Sequence, residues 1–121
     1  MEHAARVTLA ETASVQFQNS VKSGLESGMK LIAPGIGYAC CPDHSLKRDL
    51  LALLPDMGVT LTESCSMIPE ATVCGLVIAH RDAAYHDIRT VKASELNSYI
   101  QKRGFTPDQV SLFLSHLDVT E

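Results

Sequence analysis

No stretch of this chain approaches the ~18 consecutive apolar residues that a membrane-spanning helix requires. The longest apolar run, Val73–Ala79, has seven residues with Cys and Gly counted. No stripe of Lys or Arg is visible. Ten basic and fourteen acidic side chains leave a net charge of −4, so no nucleic-acid partner is expected. No C-x-x-C pair exists, which argues against thioredoxin-like exchange. No G-x-S-x-G marks a nucleophile elbow. The segment "APGIGY" has G-x-G but neither a third glycine nor a following Lys-Ser/Thr, so phosphate-binding loops are dismissed. Met1–Glu11 carries no apolar h-region of the secretory kind. The expected setting is cytoplasmic, with Cys40, Cys41, Cys65 and Cys74 reduced.

What is present is ordinary globular composition. Apolar residues make up 45% of the 121 and charged residues 20%. That length suits one domain over residues 1–121, able to bury a core without a metal or disulfide staple.

Residues 4–29 read as an N-terminal helix with an apolar stripe of Ala10, Ala13, Phe17, Val21 and Leu25. Gly24 and Gly28 weaken its end. "LIAPGIGY", 31–38, is broken by Pro34, Gly35 and Gly37 and reads as a bent, extended segment. A second helix is expected over 44–54, capped by Asp43 or Ser45 and ended by Pro55. Its apolar face is Leu46, Leu50, Leu53 and Leu54.

Val59–Thr62 alternates like a half-buried strand. "MIPEA" reads as a connection because Pro69 lacks a donor. "TVCGLVIA", 72–79, reads as a strand buried on both faces, with Tyr85–Ile88 returning beside it as a hairpin. Ser94 is expected to cap a helix over 95–103 that Gly104 closes. Thr106-Pro107-Asp108-Gln109 spells a helix start, with Val110, Phe113, Leu114 and Leu117 on the apolar face that follows. The fold class is α+β: a small, twisted, mainly antiparallel sheet packed with helices.

The chemistry-bearing residues converge on little by spacing alone. Cys40 to His44 has one metal-ligand interval, but no second pair completes a site. Adjacent side chains in an extended chain also point opposite ways. One of Cys40 and Cys41 is therefore expected to be buried and the other partly exposed. Cys74, inside the apolar strand pattern, is expected in the core. His116 is expected to be solvated, and His80 to sit at a turn. The loop at 34–38 allows two readings. It is either a tight bend against a helix, or an open backbone on which a flat heterocycle stacks against Tyr38.

Three segments in order carry a family resemblance: "GYACCPDHSLKRDLLALL", "GVTLTESCSMIPEATVCGLVIAHRDAAYHDI" and "ELNSYIQKRGFTPDQVSLFL". Residues 31–117 resemble the activation domain of cobalamin-dependent methionine synthase. That family's core reads R-P-A-x-G-Y…C-P-D-H, then L-T-E-S-x-x-M-x-P, then V-x-G-L-x-x-A-H and a tyrosine. "LAETAS" at 9–14 looks like part of the helix that the family has upstream.

The resemblance implies an α+β domain that binds S-adenosylmethionine and docks on a cobalamin-binding module. There an electron from a flavodoxin-type donor and the ligand's methyl group restore methylcobalamin. The chain would be a component of a methyltransferase rather than a self-sufficient catalyst, with no catalytic residue of its own. The alternative is a docking partner of a corrinoid methyltransferase that has lost ligand binding. By the same resemblance the ligand-facing residues are Pro34, Gly35, Gly37, Tyr38, Glu63 and Tyr85. Glu63 would accept hydrogen bonds from ribose hydroxyls, and the phenol rings would face the cationic ligand. Two departures stand out. The family's arginine falls on Ala33, with Lys30 nearby, and the family domain is considerably longer. An incomplete pocket in a small chain leaves self-association open.

Overall fold

The computed structural model describes residues 2–121. Four helices and three two-stranded sheets follow one another along the chain. The α+β class is as expected. The strands, however, form three separate pairs rather than one sheet, two antiparallel and one parallel.

Helix α1 spans Glu2–Ser23 and buries none of its side chains. It stops well before residue 29. Gly24 and Leu25 donate to carbonyls only three residues back, Val21 and Lys22. Gly28 then turns left-handed at φ +85°. Strand β1, Lys30–Ile32, pairs antiparallel with β4, Ile78–His80, so that Leu31 faces Ala79. This replaces the expected hairpin. Residues 85–88 form no strand, and Ile88 instead donates to the Ala39 carbonyl at 2.8 Å.

Helix α2 is short, Leu46–Ala52. Asp43 sets its entry by accepting the Ser45 N–H at 2.8 Å, and Ser45 itself makes no capping bond. The expected apolar face is only partly covered, since Leu53 and Leu54 lie beyond the last turn and remain exposed. Lys47, which is not part of that apolar face, is nonetheless buried. Strands β2, Thr60–Leu61, and β3, Met67–Ile68, close a small hairpin. Met67–Ile68 is thus a strand rather than a connection. Pro69 lies one residue past the ladder, where its missing N–H is harmless.

Strand β5, Thr90–Lys92, runs into α3, Ala93–Arg103. Glu95 accepts the Lys92 N–H at 3.4 Å, so the cap lies two residues before Ser94. Gly104 ends α3 in the left-handed conformation, as expected. Helix α4, Pro107–Leu114, begins at a reciprocal cap. The Gln109 side chain accepts the Thr106 N–H at 2.9 Å, and the Thr106 hydroxyl accepts the Gln109 N–H at 3.3 Å. Strand β6, Asp118–Thr120, returns parallel to β5.

The core lies in the C-terminal half. Cys65, Phe113 and Leu114 are buried, with Leu96, Ile100, Phe105 and Val110 packed around them. Burial of a phenylalanine of this kind contributes roughly 1.5–3 kcal/mol. Phe105 stands between Tyr99 and Phe113, 6.3 and 5.6 Å from their ring centres. The residues 72–77 do not join this core. Val73, Leu76 and Val77 are exposed, and Cys74 is only half-buried. The expectation of a strand covered on both faces, with Cys74 inside it, does not hold. Among the described residues no helix is long and apolar enough to cross a membrane.

Candidate functional site

The bend at 33–38 lines a polar cleft between α1 and the segment before β4. Pro34 is buried, and its carbonyl accepts the Leu76 N–H at 3.0 Å. Ile36 donates to the Cys74 carbonyl at 3.0 Å, and Gly37 to the Cys41 carbonyl at 2.8 Å. The loop is therefore stitched on both sides, to the segment before β4 and to the corner before α2. Gly35 N–H and the carbonyls of Ile36 and Gly37 take part in no backbone hydrogen bond among the described residues.

Two rings close on this loop because glycines leave room for them. Tyr38 folds back over Gly35, and a β-carbon on Gly35 would lie 2.7 Å from the ring. The outer face of Tyr38 stays open, since the residue is 71% exposed. His44 packs under Gly37 in the same way, 2.5 Å from where a β-carbon would be. Gly37 also sits at φ +92°, where side chains are strained.

The cleft above the loop measures about 560 Å³. Gly35, Gly37, Tyr38 and Tyr85 all line it, and Tyr85 is half exposed. Pro34 lies beneath this surface rather than on it. Glu63 is not brought to the cleft. It lies in the turn between β2 and β3, where its carbonyl accepts from Arg48 Nη2 at 3.0 Å and its side chain points to solvent. The carboxylates that do line the cleft are Glu11, on α1, and Glu70. Sequence reasoning missed both. Glu11 stands in "LAETAS", which resembled an upstream family helix, and that was the available signal. Ala33 and Lys47 also line the cleft, whereas Lys30 does not.

Lys47 and His44 form a buried basic corner. Lys47 Nζ donates to the Cys65 carbonyl at 3.0 Å and contacts His44 Nδ1 at 3.3 Å. The His44 ring meets His116 edge to face at 5.4 Å. Burial holds the His44 pKa below its ordinary value, and the nearby Lys47 and His116 add to the effect against an opposing pull from Asp43.

The cysteines are packing residues at this corner. Cys40 and Cys41 are both half-buried, so the expected split between them is absent. Burial, and for Cys41 also Asp43, pushes the Cys41 and Cys74 thiols up, which makes both poor nucleophiles. Among the described residues, no group of three or more His, Cys, Asp or Glu side chains is placed to hold a metal ion.

Beneath the corner lies a polar network that no spacing argument anticipated. Asp43 is 3% exposed and accepts from the Tyr99 hydroxyl, while Arg103 Nη2 donates to Ser45 Oγ and to Asp49, each at 2.8 Å. Arg103 Nε approaches Asp43 at 3.7 Å. Helix α3 is thereby fastened to the "CPDHS" corner, which in turn positions His44 under the loop.

Paired short strands around a Gly/Pro bend, with an open cleft beside it, define a small α+β module. A crystal structure of the MetH reactivation domain bound to AdoHcy superimposes with a TM-score of 0.67 at 28% identity. The match covers 76% of this chain and 29% of that one, so the chain spans less than a third of that solved protein. Residues 12–104 match the family model described as vitamin B12 dependent methionine synthase, activation domain. The chain belongs to that family.

Proposed function

We propose that this chain binds S-adenosylmethionine in the cleft over Gly35–Tyr38 and presents its methyl group to a cobalamin-dependent methyltransferase that needs reductive reactivation. The observation that carries the reading is that Tyr38 and Tyr85 line one cleft together with the Gly35–Gly37 backbone, in a chain of the activation-domain family. Peptide N–H and C=O groups without backbone partners suit the hydrogen-bonding edge of an adenine. The open face of Tyr38 suits its plane. The sulfonium and ammonium of the ligand are cationic, and the phenol faces and the carboxylates of Glu11 and Glu70 are complementary to them. Pro34 supports the loop from below. Glu63 steadies the neighbouring turn and contributes no lining.

The chain's residues hold and orient the methyl donor, and proximity is their contribution to the reaction. Cobalamin would be held by the partner module and would supply there the cobalt acceptor for the methyl group, leaving S-adenosylhomocysteine in the cleft. A flavodoxin-type donor supplies the electron. The reaction needs no general acid or base from this chain.

Calorimetric titration with S-adenosylmethionine tests the reading. Saturable binding is expected. No heat and no thermal shift at millimolar ligand would remove it. A second reading, a docking module whose pocket no longer binds, is favoured by Ala33 on the cleft wall. Co-purification with a corrinoid protein, together with failure to bind the ligand, would select it.

A further inference from the structure

Lys47 is an uncompensated cation at the floor of the cleft. The residue is 7% exposed, yet it lines the cleft together with Gly37, Tyr38 and His44. Its ammonium has three donors. One goes to the Cys65 carbonyl at 3.0 Å and one to His44 Nδ1 at 3.3 Å. Among the described residues it forms no ion pair. Buried lysines are normally paired, because an isolated buried charge is costly. The neighbouring cation Arg103, which is only half-buried, has both Asp43 and Asp49. Lys47 has a neutral imidazole and a carbonyl.

We infer that Lys47 is the receptor for an anionic group of the bound ligand, and, given S-adenosylmethionine as that ligand, for its α-carboxylate. This rests on the reading of the cleft proposed above. Three features of the site fit the assignment. The Lys47 ammonium is held by two fixed partners, so little side-chain freedom is lost when the third donor is used. The other charged groups lining the cleft, Glu11 and Glu70, are acidic, so a carboxylate is directed to Lys47 and an ammonium away from it. His44, between Lys47 and His116, accepts from the ammonium and turns its donor elsewhere.

The test compares S-adenosylmethionine with its decarboxylated analogue on the intact chain and on Lys47→Gln, by calorimetry. The unaltered protein is expected to prefer the carboxylate-bearing ligand by about ten- to a hundredfold, the range for a hydrogen bond to a charged group. Lys47→Gln is expected to bind the two equally. Equal affinity in the unaltered protein would overturn the inference while leaving the proposed function standing. Binding of neither ligand by the unaltered protein would overturn both.

A readout without substitution covers the case of a variant that does not fold. The charged groups facing His44 are Lys47, His116 and Asp43. A carboxylate on Lys47 relieves the repulsion, so the His44 titration midpoint, followed by NMR, is expected to rise with S-adenosylmethionine and not with the decarboxylated ligand. The same shift with both ligands, or with neither, would contradict the assignment and leave Lys47 as a clamp on the Cys65 carbonyl.

Discussion

The imidazole of His44 lies directly against the α-carbon of Gly37, so close that a β-carbon there would meet Cε1 at 2.5 Å and Nδ1 at 2.6 Å. This contact joins the loop at 33–38 to the corner that leads into α2, and it bears on most of what the cleft is expected to do.

Gly37→Ala should therefore cost more than a left-handed glycine alone explains. Gly28→Ala provides the control, since Gly28 has φ +85° but open space around it. The expected losses are ~1 kcal/mol for Gly28→Ala and ~2–4 kcal/mol for Gly37→Ala, from backbone strain with a clash added. Denaturant midpoints measure both. Equal losses would mean that His44 moves aside freely.

Tyr99→Phe removes the hydroxyl that Asp43 accepts from and leaves a buried carboxylate with the Ser45 N–H and a distant Arg103. A loss of about 1.5–3 kcal/mol is expected, the range for a hydrogen bond to a charged group. The Tyr99 pKa is held well above its ordinary value by burial and by the bond to Asp43. A raised pKa contributes stability that is whole below the unfolded value near 10 and is lost as pH rises above it. The Phe variant should lose this part of the alkaline slope, which unfolding curves between pH 8 and 11 would show.

His44 acts at the other end of the scale. Its folded pKa lies below the ordinary value of 6.5, so the unfolded chain takes up its proton first. Its contribution is present above pH 6.5 and is lost as pH falls from there toward the folded midpoint. Denaturant midpoints at pH 7.5 and 5.5 are expected to differ less for His44→Gln than for the unaltered chain. A larger difference in the variant would reverse the assignment.

Tyr38→Ala separates binding from folding. The ring is 71% exposed, so stability should change by less than ~0.5 kcal/mol. Affinity for S-adenosylmethionine should fall about five- to a hundredfold, the range for removing an aromatic platform beneath a base. Calorimetry and thermal melts on one preparation would show whether the two effects separate. A large loss of stability with unchanged affinity would make Tyr38 a packing residue.

Local chemistry was legible in the sequence, and long-range pairing was not. The start of α4 is written in four consecutive residues, Thr106 to Gln109, and forms as expected because all its bonds are local. The bend at Pro34–Tyr38 was readable from its breakers. The pairing of β1 with β4, nearly fifty residues on, and the parallel return of β6 beside β5 leave no local trace. The stretch 72–77 misled because its apolar pattern says what could be buried, not what finds cover. Gly75 there lets the Pro34 carbonyl approach to 2.7 Å of where a β-carbon would sit, and the backbones pair across Gly35 and Gly75 in the register of β1 and β4 while Val73, Leu76 and Val77 stay exposed. Of the residues the resemblance pointed to, Tyr38 and Tyr85 both line the cleft and Glu63 stays in its turn, while Glu11 and Lys47 also line it. Nothing in "SLKRDL" distinguishes the buried Lys47 from the exposed Arg48 beside it.

The most direct test is a map of backbone amide shifts in the labelled protein as S-adenosylmethionine is added. Shifts concentrated at Gly35, Gly37, Tyr38 and Tyr85 are predicted, with Glu63 unmoved. Shifts confined instead to the separate apolar cavity between Cys41, Leu96 and Leu117, or none at saturating ligand, would contradict the account.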